Sequence, residues 1–259
     1  MKKLIFLFLT SIILFNCENE SVDIQATLPP CDNGTFVGDV VLNSQQEVDD
    51  FGAMCYSKIE GKLIIGASWV ENDISDLSSL SSITQVSKKM RISAFYLESL
   101  NGLNNITTVG GLWVLDSFYL KNLDGLESLE QVGNLIQDGY IGYAEDMQIV
   151  RCSSLISIKG LSNLKYVEGL FMQGNTELIS LDGLENLQTV ITYNNYLGVS
   201  IGLSNCIDGF QCIPNLKLNN LCALQNLFTD GIYDEDFVTI KWNAYNPTIQ
   251  DIIDGNCSQ

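Results

Sequence analysis

An apolar residue at every third position, repeated through five blocks of the chain, restricts the possible folds more than any other feature. This rhythm differs from the alternation of a long strand and from the 3.6-residue period of a helix. It indicates short extended segments that are joined at corners. The apolar positions, five in each block, are Ile74, Leu77, Leu80, Ile83, Val86; Leu97, Leu100, Leu103, Ile106, Val109; Leu120, Leu123, Leu126, Leu129, Val132; Leu155, Ile158, Leu161, Leu164, Val167; and Leu178, Leu181, Leu184, Leu187, Val190.

The blocks return at a near-constant spacing. Measured at the third apolar position, Leu80, Leu103 and Leu126 are evenly spaced, and the step from Leu161 to Leu184 has the same length. Only the step from Leu126 to Leu161 is longer. A unit of this size cannot bury its own apolar edge and must stack on its neighbours. The sequence therefore predicts a mainly β solenoid with coils of about 23 residues and an insertion near residues 137–146.

Strand-like segments precede the later blocks, and their sixth position is small or polar. The segments are residues 112–117, 147–152 and 170–175. This sixth position resembles the one that leucine-rich repeats fill with an inward-facing Asn or Cys, so Ser117, Cys152 and Asn175 are expected to face the interior. Cys152 is predicted to be a buried free thiol and not a nucleophile, because only Arg151 could lower its pKa and Arg151 is expected to face outwards.

Carboxylates recur in the turns between the apolar positions, which raises the possibility of a calcium or catalytic site. Asp-Gly pairs at Asp124 and Asp182 are typical of turns. Lys159 occupies the same place in the intervening block, so the two carboxylates would lie two strands, or about 10 Å, apart. No metal, cofactor or catalytic residue is therefore predicted.

The beginning of the chain predicts export. Two lysines precede an apolar run over residues 4–15, which has the length of a signal-peptide core. The run ends in Leu-Phe-Asn-Cys, which resembles a bacterial lipoprotein cleavage box. Residues 1–16 are thus predicted to be a lipoprotein signal peptide, with Cys17 acylated as the membrane anchor and residues 17–30 forming a tether.

The net charge and the cysteines further restrict the partners and the kinds of site that this chain can have. A net charge of −18 argues against nucleic acid and anionic lipid as partners, and the absence of histidine removes the commonest general base. Exported chains can hold disulfides, and a pair between Cys31 and Cys55 is predicted in an N-terminal cap. Two bridges of undetermined connectivity are predicted in a C-terminal cap, among Cys206, Cys212, Cys222 and Cys257. Zinc is disfavoured because no pair has the two-residue spacing of a zinc finger.

The pattern over residues 112–133 resembles the receptor L-domain, the leucine-rich-repeat-like module of the insulin and epidermal growth factor receptor ectodomains. Surface lipoproteins of the Bacteroidetes type carry similar arrays, and acidic residues after the acylated cysteine accompany their display on the outer membrane. The resemblance extends over residues 31–257 and implies a right-handed β-helix with disulfide-closed caps. It predicts an N-terminal cap and first strand (31–73), repeats (74–190) and a C-terminal cap (191–257). The chain departs from the family at Ser87-Lys88-Lys89, where a Val-Gly corner is expected.

L-domains contribute ligand-contact surface and carry no catalytic residues, so the resemblance implies a non-enzymatic cell-surface lipoprotein that binds or adheres to a protein or glycan. Trp113 and Phe171, at outward strand positions, and Tyr140 and Tyr143, in the insertion, are the candidate ligand contacts. The alternative is an enzyme that degrades extracellular polysaccharide, because β-helices also carry lyases and hydrolases. Such an enzyme would need two carboxylates, or a basic residue with acidic metal ligands, converging in one groove.

Overall fold

The computed structural model describes residues 32–133, 146–191, 198–202 and 213–259. All of them belong to one compact unit, residues 31–259. Within this described part the protein is mainly β, with thirteen strands in one sheet. The strands are β1 Thr35–Val37, β2 Val40–Leu42, β3 Lys58–Glu60, β4 Leu63–Gly66, β5 Gln85–Ser93, β6 Thr108–Leu115, β7 Gln131–Val132, β8 Met147–Val150, β9 Tyr166–Glu168, β10 Leu170–Gln173, β11 Thr189–Ile191, β12 Val199–Gly202 and β13 Val238–Lys241. The helices are α1 Gln45–Gly52, α2 Gln225–Asp230 and α3 Ile249–Ile253.

The strands pair in parallel, at the same steps that separate the apolar blocks of the sequence. Thr108 of β6 lies opposite Gln131 of β7, and the two are separated in sequence by the shorter of the two steps found between the apolar blocks. Gln131 lies opposite Tyr166 of β9, which is the long step, and Tyr166 lies opposite Thr189 of β11, which is the short step again. Each repeat therefore adds its strand beside the strand of the preceding repeat.

Two rows of strands run through the sheet and share β5 and β6. The first row follows the order β2, β4, β5, β6, β8, β10, β12, β13, and the second β1, β3, β5, β6, β7, β9, β11. The register of β5 against β6 shifts between Val86 and Lys89. This bulge falls at Ser87-Lys88-Lys89, where the sequence departs from the Val-Gly corner, and it lets one long strand serve both rows.

The apolar blocks form the core. Every one of the 25 apolar positions is buried, and none exposes more than 2% of its surface. The inward strand residues Leu112 and Val114 are fully buried with them. The three-residue rhythm therefore identified the inner face of each repeat correctly.

The polar sixth positions of the strand segments also face inwards, as predicted. Ser117, Cys152 and Asn175 have no exposed surface. The Asn175 side chain accepts from the Cys152 backbone N–H (3.1 Å) and donates to the Ile149 carbonyl (2.8 Å). Asn215 repeats this arrangement further along the chain, accepting from the Asn175 N–H at 2.9 Å. These side chains satisfy backbone groups that would otherwise be buried without partners where the chain bends.

Helices lie towards both ends of the described chain. In α1, Ser44 caps the N-terminus, and Val48 and Phe51 are buried. In the C-terminal part, a disulfide joins Cys222, just before α2, to Cys257, just after α3. No helix of the described ranges is long and apolar enough to cross a membrane.

Candidate binding surface

Aromatic residues recur at the corner that follows the first-row strands. Phe95 and Tyr96 come shortly after β5, and Phe118 and Tyr119 shortly after β6. Both pairs directly precede the first apolar position of a block, Leu97 or Leu120. Because equivalent positions of successive repeats lie side by side, the two pairs meet.

The rings of these two pairs are in contact across the repeats. The centroids of Phe95 and Phe118 are 5.4 Å apart, and those of Tyr96 and Tyr119 are 5.7 Å apart. The Phe95 and Tyr119 rings are 5.8 Å apart. Trp69, which follows β4, lies 6.0 Å from Phe118. We call these five residues (Trp69, Phe95, Tyr96, Phe118, Tyr119) the aromatic patch.

The outer rings of the aromatic patch are open to solvent. Trp69 is 68% exposed, Tyr119 49% and Tyr96 42%. Phe95 and Phe118 are less exposed. Exposed aromatic rings in contact with one another mark interaction surfaces more often than isolated exposed apolar residues do.

Trp69 is held by an unusual backbone and by a cation. Its φ of +61° lies in the left-handed region, which is rare for a bulky side chain. The Arg151 guanidinium carbon lies 5.2 Å from the Trp69 ring centroid. Arg151 in turn donates two hydrogen bonds to the buried Asp116 carboxylate, at 2.6 and 3.1 Å. Residues of three repeats thus fix this ring.

Polar groups surround the aromatic patch. The Tyr96 hydroxyl donates to the Glu71 carboxylate, and this bond raises the pKa of Tyr96. Within the described residues, neither the Tyr119 hydroxyl nor the Trp69 indole N–H makes a hydrogen bond. These two groups are available to a ligand.

Trp113, the first candidate contact, is only half-buried on the first row of strands. Its indole N–H donates to the Asp146 carboxylate at 2.8 Å, and the Lys89 ammonium lies 3.2 Å from the ring centroid. Asp146 is itself buried and accepts a second bond from Gln148, at 2.8 Å. Burial is the main cause that raises the pKa of Asp146. One face of Trp113 is therefore occupied, and its role as a ligand contact stays a prediction.

Of the other candidate contacts, only Phe171 belongs to the described residues. Phe171 is half-buried in β10, opposite Gln148 and Ser200. Tyr140 and Tyr143 lie outside the described residues. The insertion near residues 137–146 is described only at its last residue, Asp146.

The cysteines agree with the sequence analysis where they are described. Cys152 is a buried free thiol, as predicted, and burial raises its pKa to about 12. Cys222 pairs with Cys257, which settles one of the two C-terminal bridges whose connectivity was open. Cys55 is disulfide-bonded. Cys31, Cys206 and Cys212 lie outside the described residues, so their pairing stays a prediction.

Of the recurring turn residues, Lys159 and Asp182 lie next to each other. Lys159 lies 3.9 Å from Asp182, as an exposed ion pair. The described residues contain no group of three or more acidic or cysteine side chains placed to hold a metal ion. A groove of about 360 Å³ is lined by Glu185, Asp230 and neighbouring amide side chains. Among the residues that line it, neither carboxylate is paired with a nucleophile or a base.

Sequence reasoning missed the aromatic patch, although a signal was present. The dipeptide Phe-Tyr occurs at Phe95-Tyr96 and again at Phe118-Tyr119, one repeat apart and each time immediately before the first apolar position of a block. Repetition at the period of the fold places identical side chains next to each other. Trp69 carries no such signal, because the segment between β4 and the first apolar position, Ile74, is longer and Trp69 does not directly precede that position.

Comparisons with protein-family models, with curated proteins and with solved structures found no match to this chain.

Proposed function

We propose that this protein is a non-enzymatic surface lipoprotein that presents a repeat solenoid for binding. The parallel strands pair at equal steps, with one longer step at the insertion, and this regularity supports a β-helical or leucine-rich-repeat-like stack. In such a stack each repeat covers the apolar edge of the next, and side chains at equivalent positions line up along one face.

The observation that carries the binding function is the aromatic patch. Three of its rings are between 42% and 68% exposed, yet each of the five rings contacts at least one other ring of the patch. A rigid group of exposed aromatic side chains loses little conformational freedom when a ligand binds. Packing between repeats explains the inner rings, Phe95 and Phe118, but it does not require the outer rings to remain exposed.

The proposed location rests on the leader and on Cys17. Two or three acyl chains on one cysteine anchor a protein stably, where a single chain does not. Expression of the full chain in a Gram-negative host with alkyne-labelled palmitate should give a labelled product in the membrane fraction. Cys17→Ser should abolish the label, while Cys152→Ser should keep it. A labelled Cys17→Ser protein would contradict the anchor.

The binding function is tested with the full-length protein in detergent micelles. We would measure retention on immobilised polysaccharides and on immobilised extracellular proteins, and in parallel the release of new reducing ends from the polysaccharides. We expect retention without product release. New reducing ends or unsaturated products would favour the polysaccharide-degrading enzyme instead, and the lack of any retention would contradict a binding function.

A further inference from the structure

We infer that the aromatic patch is a binding site for a neutral carbohydrate, with sugar rings stacked on Trp69 and on the tyrosine pair. This inference rests on the proposed binding function and specifies its ligand class. Four features of the site carry it: a fixed tryptophan, open polar groups, cations that are already engaged, and a small exposed area.

The Trp69 ring is fixed before any ligand arrives. A left-handed backbone is unfavourable for a bulky residue, and the Trp69 side chain at this position is 68% exposed. The Arg151 guanidinium contacts the ring, and its two bonds to Asp116 leave it little freedom. Backbone strain of this kind is found at binding and active sites, where it holds a group in its working position.

The polar groups around the rings suit a ligand with both C–H faces and hydroxyl edges. The Trp69 N–H is a donor, and the Tyr119 hydroxyl is both donor and acceptor. The Glu71 carboxylate, which accepts from Tyr96, has a second oxygen as a further acceptor. A sugar ring places its C–H groups against an aromatic face while its hydroxyls reach the surrounding donors and acceptors. A purely apolar partner would leave these groups without hydrogen bonds, at a cost.

The cations beside the aromatic patch are engaged within the protein. Arg151 is bound to Asp116, and Lys121 lies 2.8 Å from Glu98. Arg91 is half-buried and donates to the Ser68 hydroxyl at 2.5 Å, while its buried Nε has no hydrogen-bond partner among the described residues. The chain as a whole, at −18, repels anionic polymers. A neutral sugar therefore fits this surface better than a uronate or a sulfated sugar.

The exposed aromatic area matches one or two sugar rings, and it would supply less than half of a typical protein interface. A buried aromatic side chain contributes about 150–250 Å², so the exposed fractions of Trp69, Tyr96 and Tyr119 together offer roughly 300–400 Å² of aromatic surface. A stable protein interface needs about 800 Å² per partner. One or two sugar rings cover the area that is present.

The inference is tested by titrating the full-length protein, in detergent, with single hexasaccharides. The neutral probes are cellohexaose, maltohexaose, laminarihexaose and mannohexaose, and the acidic probe is hexagalacturonic acid. Binding is measured by calorimetry. We expect at least one neutral probe to bind and the acidic probe to bind at least tenfold more weakly.

Two variants test whether the sugar binds at the aromatic patch. Trp69→Gly removes the ring and also the backbone strain, since glycine adopts positive φ freely, so the protein should stay folded while affinity falls at least tenfold. Tyr119→Ala should give a similar loss. Trp242→Ala is the matched control, because Trp242 is 64% exposed and also has a positive φ (+63°). It lies outside the aromatic patch and should leave affinity within twofold.

The outcomes separate this inference from the proposed function. Neutral probes that fail to bind, or that bind equally well to Trp69→Gly, would overturn the carbohydrate site. Retention on a protein or on hexagalacturonic acid alone would also overturn it, but would leave the binding function standing. Equal losses in Trp69→Gly and Trp242→Ala would overturn it too, because tryptophan removal would then act through a general effect and not through this surface.

Discussion

Asp146 is a buried carboxylate between two hydrogen-bond donors, the Trp113 indole and the Gln148 amide. Burial raises its pKa above the usual 3.8. The protonated form therefore favours the folded state. Its contribution to stability is complete below pH 3.8 and is lost as the pH rises through the folded-state pKa.

Asp146→Asn should remove this pH dependence. The amide is neutral at every pH and can still accept from Trp113. The free energy of unfolding of the variant, relative to the wild type, should increase from about pH 4 towards about pH 8, as measured by urea denaturation. Asp251→Asn is the control, because hydrogen bonds from Thr248 lower the pKa of Asp251, so that its contribution is complete above pH 3.8 and disappears only below that value. The relative stability of this variant should therefore stay flat over the same pH range. Equal slopes in the two variants would contradict the assignment.

The Asp116–Arg151 pair connects two repeats beneath Trp69. The Asp116 side chain is 1% exposed and that of Arg151 25%. Removing one member of a buried pair leaves a charge without a partner. Arg151→Ala should therefore lower the free energy of unfolding by about 2–4 kcal/mol, a value reduced by the partial exposure of the arginine.

A double-mutant cycle isolates this interaction. The double variant, Asp116→Ala with Arg151→Ala, should lose less free energy of unfolding than the two single variants lose together. The difference should be at least about 1 kcal/mol. Additive losses in chemical denaturation would show that the two side chains act independently.

At the scale of the element, glycines bring successive repeats into contact. Gly125 has a φ of +110°, and a Cβ there would lie 2.0 Å from the Leu100 carbonyl oxygen of the preceding repeat. Residues other than glycine are thus excluded from this turn both by the backbone conformation and by the lack of space. The Asp-Gly pairs that the sequence suggested as turns have this second role, which no local rule predicts.

Gly125→Ala should destabilise the protein by about 3 kcal/mol or more, because it adds a clash to an unfavourable φ. Gly34→Ala separates the two effects. Gly34 also has a positive φ, +76°, but nothing lies within 4 Å of its Cβ position. Its substitution should cost only about 1–2 kcal/mol in the same denaturation experiment. Similar losses of stability at the two sites would mean that the close contact between repeats adds nothing to the cost of the substitution.

At the scale of the whole molecule, the proposed stack makes the repeat a removable unit. Deleting residues 81–103 takes out one complete period and joins Leu80 to the residue that normally follows Leu103. We expect the shortened protein to unfold cooperatively, with a smaller denaturant dependence because less surface is buried.

A deletion of about half a period is the control. Removing residues 81–92 puts the remaining apolar positions out of step with their neighbours, so cooperative unfolding and the β-sheet circular dichroism signal should be lost. If both deletions behaved alike, the structure would not be modular at this period.

The sequence by itself determined which residues form the core and at what spacing the strands pair. Apolar residues at every third position have one way to be buried, so the ladder from Ile74 to Val190 was assigned correctly. The burial of Cys152 was predicted from the resemblance of its position to the inward-facing Asn or Cys of leucine-rich repeats. Local chemistry also identified the turn at Gly125.

Only the tertiary structure decided which side chains meet across repeats. Trp69, Phe118 and Arg151 are far apart in the chain, and their contacts depend on the length of each corner and on the bulge in β5. The same holds for Trp113, whose outward position is visible in the sequence but whose cover, Lys89 and Asp146, is not. Periodicity determines the direction of a side chain, whereas its neighbours depend on the register between repeats, which small insertions alter.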